Sequence, residues 1–211
     1  MEPLEYVLPG EIEKRSFEII SGELETRGIC LPPEQEMITK RAIHTSADFD
    51  YAKTLVFSEH AVEKAKELIK NGADIVTDTN MALAGINKKL LAGFGGQVHC
   101  FMAEEEVAQL ARERQTTRAA VSMQMAAEMK KPVLFAIGNA PTALLCLHEM
   151  YEKREYRPEF IIGVPVGFVN VVAAKELILH TDIPYIINRG RKGGSNVAAA
   201  ICNAILYELT R

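Results

Sequence analysis

Pro132-Val133-Leu134-Phe135-Ala136-Ile137 runs directly into Gly138-Asn139-Ala140-Pro141, and this junction sets the fold class. The first six residues are an unbroken apolar run with β-branched and aromatic members, too short for a helix and bounded by turn residues. They spell a strand apolar on both faces, which is what a parallel sheet covered on both sides requires. Gly138 and Asn139 then turn the chain, and Pro141 suits the first position of a helix reaching about Tyr151. Working outward, the same unit recurs. Ala73–Thr77 predicts a strand followed by a helix from Asn80 to about Leu91, and Gln97–Phe101 predicts a second strand. An acidic helix start at Glu104-Glu105-Glu106 follows, then a new cap at Thr116-Thr117 and a helix from about Arg118. Phe160–Pro165 and Pro184–Ile187 predict two more strands. Asn170 and Ser195 cap the helices after them, the last with Val197, Ile201, Ile205 and Leu209 on one side.

Strands alternating with helices imply a doubly wound, three-layer α/β architecture with a mostly parallel sheet of about five strands. The pattern is continuous enough for one domain over residues 1–211. Residues 1–40 form an N-terminal helical extension. Glu11–Leu24 has helical spacing, Pro32-Pro33 is expected to stop any regular element, and Ser58 is expected to cap a helix ending at Asn71-Gly72.

A chain of 211 residues with 48% hydrophobic and 25% charged side chains supports one sizeable core. Its formal charge, 24 minus 28 or −4, argues against a nucleic-acid binder that needs a basic face. No apolar run approaches the roughly 18 residues of a membrane span, and the N-terminus has no basic, then apolar, leader pattern. Cys30, Cys100, Cys146 and Cys202 are widely separated with no C-x-x-C pair, which favours reduced thiols in a cytoplasmic protein over disulfides or a zinc site.

Ligands of open α/β sheets bind beyond the carboxyl ends of the strands, and the unusual residues of this chain gather there. Asp78-Thr79-Asn80, Gly138-Asn139, Pro165-Val166-Gly167 and the loop from Asn188 to Gly194 all follow predicted strands. Glycines admit close backbone approach and the helix starts present free amides, so the rim suits anions. Arg189, Arg191 and Lys192 add three cations. Neither G-x-x-x-x-G-K-[ST] nor a helix-opening G-x-G-x-x-G is present. Several carboxylates spread over a wide ligand therefore match these donors better than a nucleotide, with arginine supplying bidentate contacts. Met123, Met125 and Met129 fill a core or a subunit interface. His60, His99, His148 and His180 have no i, i+4 metal-ligand spacing.

One histidine stands apart. Ala42-Ile43-His44-Thr45-Ser46-Ala47-Asp48-Phe49-Asp50 sets an imidazole, able to exchange protons near neutral pH, beside hydroxyls and carboxylates. Thr45, Ser46, Asp48 and Asp50 are all candidates to orient the ring or bind a polar edge. A lone histidine is more often structural than catalytic, so the stretch gains weight from the anion-binding rim around it.

Six ordered stretches carry a family resemblance: IHTSADFDYA (43–52), VTDTNMALAGI (76–86), TTRAA (116–120), AIGNAPTALL (136–145), IIGVPVGFVN (161–170) and NRGRKGGSNVAAA (188–200), together with Ser16-Phe17. Over nearly its whole length the sequence resembles the precorrin-8X methylmutase family of corrinoid biosynthesis, in its cobalt-precorrin-8 branch. VHCFMAEEE (98–106) points to that branch. The resemblance implies an isomerase that moves a methyl group from carbon 11 to carbon 12 of a contracted tetrapyrrole, giving cobyrinic acid or, without metal, hydrogenobyrinic acid. It implies His44 as the catalytic proton donor. It assigns Ser16, Arg118, Asn139, Gly193, Gly194 and Ser195 to the polycarboxylate substrate, with Thr79 and the Arg191 of the basic loop beside them. It also implies a homodimer with the ligand near the subunit boundary and no separate cofactor or protein-bound metal, any cobalt being carried by the substrate. Two other readings fit the residues: a corrinoid carrier without turnover, and an unrelated α/β enzyme acting on a phosphorylated metabolite.

Overall fold

The computed structural model describes residues 4–210. A short 3-10 turn leads into α1 (Ile12–Thr26), α2 (Pro33–Ser46) and α3 (Tyr51–Thr54), followed by β1 (Leu55–Phe57), α4 (Ala61–Lys70), β2 (Asp74–Thr77), α5 (Asn80–Gly85), α6 (Lys88–Gly93) and β3 (Val98–His99). The second half comprises α7 (Glu105–Glu113), α8 (Arg118–Ala127), β4 (Val133–Ile137), α9 (Pro141–Glu152), β5 (Phe160–Gly163), α10 (Val171–Leu179), β6 (Tyr185–Asn188) and α11 (Ser195–Thr210).

The strands form one sheet of order β1-β6-β5-β4-β2-β3. All neighbours from β6 to β3 are parallel, and β1 runs antiparallel to β6 with Val56 opposite Ile187. The fold is thus the expected α/β architecture with one strand more than the pattern predicted. Leu55–Phe57 is only three residues long, half-buried at an edge, and carries no alternation to mark it.

Alternate residues of each strand feed two cores, one on each face. Leu134 and Ala136 of β4, Ile162 of β5 and Ile186 of β6 meet α2, α4 and α11. Val133, Phe135, Ile137, Ile161 and Ile187 meet α8, α9 and α10. Phe135 and Phe160 are fully buried, each contributing about 1.5–3 kcal/mol of hydrophobic stabilisation. The helix α11 lies close under α5, where a Cβ on Gly85 would come within 2.9 Å of Ala199 Cβ.

Several local expectations are corrected. Pro32-Pro33 ends one element but also opens another, because Pro33 occupies the first turn of α2, where its missing N–H costs nothing. Residues 80–91 split into α5 and α6: Asn87 leaves the helical path, donates its amide to Asn203 Oδ1 at 2.8 Å and accepts from the Leu90 amide at 3.1 Å. Gln97–Phe101 shrinks to the two residues of β3. Ser58 does not cap α4; its hydroxyl accepts from the Tyr185 amide at 2.9 Å and prolongs the β1–β6 pairing. Asn170 precedes α10 in a left-handed conformation without a side-chain cap. Thr117, by contrast, does cap α8 through the Ala120 amide.

Candidate functional site

The chain passes from β2 outward to β3 and then crosses to β4 on the other side of β2. This reversal makes the carboxyl ends of β2 and β4 the topological switch point, the place where such sheets open a crevice. Asp78, the first residue after β2, is completely buried there. Its carboxylate accepts from the amides of Gly138 (2.9 Å), Asn139 (2.7 Å) and Ala140 (2.5 Å). Burial pushes its pKa up, while the amides of Gly138, Ala140 and Asn139 act in the opposite direction. The effect is to pin the turn after β4. Asn139 is thereby fixed through its backbone while its residue stays exposed to solvent. Thr79 accepts from the Ala82 amide at 3.1 Å and caps α5, and its hydroxyl lies 2.7 Å from that of Ser195. Gly138 lets the two segments meet: a Cβ there would fall 2.6 Å from Ser195 Cα.

The loop between β6 and α11 supplies the other wall. Asn188 is fully buried, accepts from Thr54 Oγ1 at 2.6 Å and donates to the carbonyls of Lys192 (2.9 Å) and Arg189 (3.2 Å). Lys175 of α10 is buried completely and donates to the carbonyls of Gly190 (2.8 Å) and Lys192 (2.9 Å). Gly193 has φ +158°, and a Cβ would lie 2.0 Å from the Val164 carbonyl oxygen, so the loop lies directly against the end of β5. The Gly194 amide donates to that same oxygen at 3.0 Å. The guanidinium of Arg191 sits 5.4 Å from the ring centroid of Phe168, itself 81% exposed. Lys192 pairs with Asp48 at 2.6 Å and Asp50 at 2.5 Å, which raises its own pKa and lowers that of Asp48.

His44 occupies the last turn of α2, where a cation is favoured by the helix macrodipole. Its exposed ring stacks on Phe17 of α1, centroid to centroid 5.5 Å at 29°. Phe17 also lies 5.0 Å from the guanidinium of buried Arg41, one helical turn before His44. Arg41 is held in turn by two hydrogen bonds to Glu13, at 3.0 and 2.6 Å. Among the described residues, no hydrogen bond or ion pair engages the imidazole of the exposed His44. Asn196 Nδ2 lies 3.5 Å from the Thr45 carbonyl oxygen, which sets the start of α11 beside His44.

The structure therefore joins His44, Thr79, Gly138-Asn139 and the Arg191–Ser195 segment along one carboxyl-end rim. None of the four residues proposed to orient the ring does so. Asp48 and Asp50 are committed to Lys192, Ser46 donates to the Ala42 carbonyl at 2.7 Å, and Thr45 meets Asn196 through its carbonyl. Ser16 adjoins Phe17, but its hydroxyl donates to the Ile12 carbonyl at 2.9 Å. Arg118 opens α8 as an exposed side chain with no ion pair among the described residues. Since α8 runs back between parallel strands, its first turn lies toward the same carboxyl edge. Sequence reasoning missed Lys175, and it named Asp78 among the strand-end residues and Phe17 beside Ser16 without a role for either. A signal existed for Lys175: it falls on the inward stripe Val171, Ala174, Lys175, Ile178, where a lysine needs a reason. His99 lies elsewhere, against Asp74 at 3.2 Å. No group of three or more His, Cys, Asp or Glu among the described residues is arranged to hold a metal ion.

Comparison with known proteins converges on one family. Residues 11–208 match the precorrin-8X methylmutase family model. A cobalt-precorrin-8 methylmutase of Salmonella typhimurium is 45% identical over 205 residues, 95% of this chain and 96% of the relative. A precorrin-8X methylmutase of Pseudomonas aeruginosa is 36% identical, covering 97% and 99%. The crystal structure of a precorrin-8X methylmutase from Thermus thermophilus superposes with a TM-score of 0.84 at 35% identity, over 95% of this chain and 98% of the other.

Proposed function

The chain belongs to the precorrin-8X methylmutase family and is an isomerase of cobalamin biosynthesis that catalyses a methyl migration, and from that premise we propose cobalt-precorrin-8 as its substrate and His44 as its proton donor. The observation that carries the reading is the His44 ring: braced on Phe17, without a hydrogen bond among the described residues, and set beside the carboxyl-end rim that would bind anions. The cobalt form is favoured because the relative at 45% identity bears that name.

A methyl shift from carbon 11 to carbon 12 of the macrocycle breaks one carbon–carbon bond and forms another on the same face. Substrate and product have the same atoms, so a proton given to the ring is matched by one lost, and neither a nucleophile nor a redox partner is consumed. His44 as imidazolium donates to the conjugated ring and draws electron density along it, which lowers the barrier to migration. The acetate and propionate arms hold the macrocycle in place through Arg118, Arg191, the Gly193-Gly194-Ser195 turn, Asn139, Ser16 and Thr79, and such positioning converts binding energy into rate. Lys192 is left out of this set because Asp48 and Asp50 already neutralise it. No separate cofactor is required by this scheme, and cobalt enters as part of the substrate.

A cytoplasmic location is part of the same proposal, supported by the four free cysteines. A homodimer closing the site near its boundary is supported by Phe168, which lies against Arg191, and its neighbour Val169, which leave 81% and 78% of their surface exposed.

Mixing the purified protein with cobalt-precorrin-8 should shift the ultraviolet-visible spectrum to that of cobyrinic acid. The absence of both a spectral shift and binding would sink the proposal. In the same assay Phe17→Ala should lower kcat roughly 10–100-fold, the scale of a misplaced catalytic group, with the substrate still bound. A kcat within twofold of wild type would show that the stack does not place the imidazole.

A further inference from the structure

Lys175 has no place in the chemistry above, yet it is one of the largest fully buried side chains of the protein, with no exposed surface. A buried ammonium is normally matched by a carboxylate, because removing a charge from water is costly. Among the described residues Lys175 has no such partner. Its ammonium donates only to two backbone carbonyls, those of Gly190 and Lys192. Burial lowers its pKa to about 8, a sign of what its location costs. A methionine or leucine would fill the inward stripe of α10 without that cost, but neither could donate to the two carbonyls.

Those carbonyls bracket Arg191. The same loop is held at Asn188 by hydrogen bonds to the Arg189 and Lys192 carbonyls, and at its far end by the Gly194 amide on Val164. The Arg191 carbonyl itself accepts from the Gly167 amide at 3.1 Å. Between Asn188 and Gly194, Lys175 is the buried side chain that pulls the middle of the loop inward. With these carbonyls drawn into the protein, the Arg191 side chain is left exposed, Gly193 is half-buried, and Gly194 and Ser195 are buried where the turn enters α11.

We propose that Lys175 is the positioning residue of the anion-binding loop: by holding the Gly190 and Lys192 carbonyls inward it sets Arg191 and the Gly193-Gly194-Ser195 turn to receive carboxylates of the substrate. The inference rests on the assignment of that loop to a polycarboxylate substrate. It separates binding from chemistry, because Lys175 touches neither the macrocycle nor His44.

The test replaces Lys175 by methionine, which matches its length and keeps the apolar contacts but donates nothing. Two readouts are taken. Backbone amide exchange across residues 188–195, measured on the free protein, should speed up at least tenfold in Lys175→Met while the strands stay protected. With cobalt-precorrin-8, KM should rise at least tenfold and kcat stay within threefold. A folded variant with wild-type exchange and wild-type KM overturns the proposal, and so does one that loses kcat with KM unchanged. Should Lys175→Met fail to fold, Lys175→Gln decides, since its shorter arm cannot reach both carbonyls. A raised KM at near-normal kcat supports the proposal, and a wild-type KM overturns it. If wild-type protein does not convert cobalt-precorrin-8, the substrate assignment falls by itself, and the exchange experiment alone then judges whether Lys175 orders the loop.

Discussion

His44→Ala is expected to lower the rate of methyl migration about 10²–10⁴-fold, the range of a positioned general acid, while binding of cobalt-precorrin-8 stays within about threefold of wild type. The asymmetry follows from the geometry. Among the described residues the imidazole makes no hydrogen bond and stacks on Phe17, so its removal leaves no buried group unpaired and does not disturb the rim. The loss is a loss of proton delivery and not of structure. Single-turnover absorbance changes separate the two, with bound but unconverted substrate as the signature of the variant. Equal conversion by both proteins would remove His44 from the mechanism. Arg118, an exposed cation with no ion pair among the described residues, would then be the first group to examine. The same experiment separates the isomerase from a corrinoid carrier, which would lose nothing by the substitution.

The sheet was legible because its strands are fully buried apolar runs between turn residues, as at Val133–Ile137 and Phe160–Gly163. What escaped was set by tertiary context. Leu55–Phe57 becomes a strand only because β6 offers it an antiparallel edge. His44 lies in a helix that Pro33 begins, although the proline pair reads locally as a stop. The candidate site divides along the same line. Glycines and cations at strand ends are visible as residue types, so the rim could be drawn from sequence. The partners of those residues could not, because they lie far apart along the chain: Lys192 takes Asp48 and Asp50 from 142 and more positions away, and Thr79 meets Ser195 across 116. That is why the carboxylates near His44, adjacent in sequence, turn out to serve the opposite loop. The brace that His44 does have, Phe17 with Glu13 beside it, comes from the N-terminal extension, with Arg41 of α2 between them.

Asp78→Ala is the substitution with the largest expected effect on the fold. The carboxylate is the acceptor for three consecutive amides at the end of β4, and the site has no exposed surface through which water could replace it. An unsatisfied buried donor costs about 1–3 kcal/mol. Two such donors, Gly138 and Ala140, with the part-buried Asn139 amide as a third, offset in part because a carboxylate is no longer desolvated, give a net loss of about 3–5 kcal/mol. For a chain of this size that corresponds to a fall in Tm of roughly 6–20 °C. Asp78→Asn should be less severe, since its one remaining carbonyl oxygen can still accept while its amide group opposes a backbone donor. The damage should also reach the site. The turn that Asp78 pins carries Asn139 and, through Gly138, abuts Ser195, so the folded fraction of either variant should bind cobalt-precorrin-8 more weakly. Urea unfolding with an unchanged m value, run beside substrate titration, measures both effects. A stability within about 0.5 kcal/mol of wild type, the range of ordinary surface substitutions, would mean that the three amides find other acceptors and that the switch-point turn is not held by Asp78.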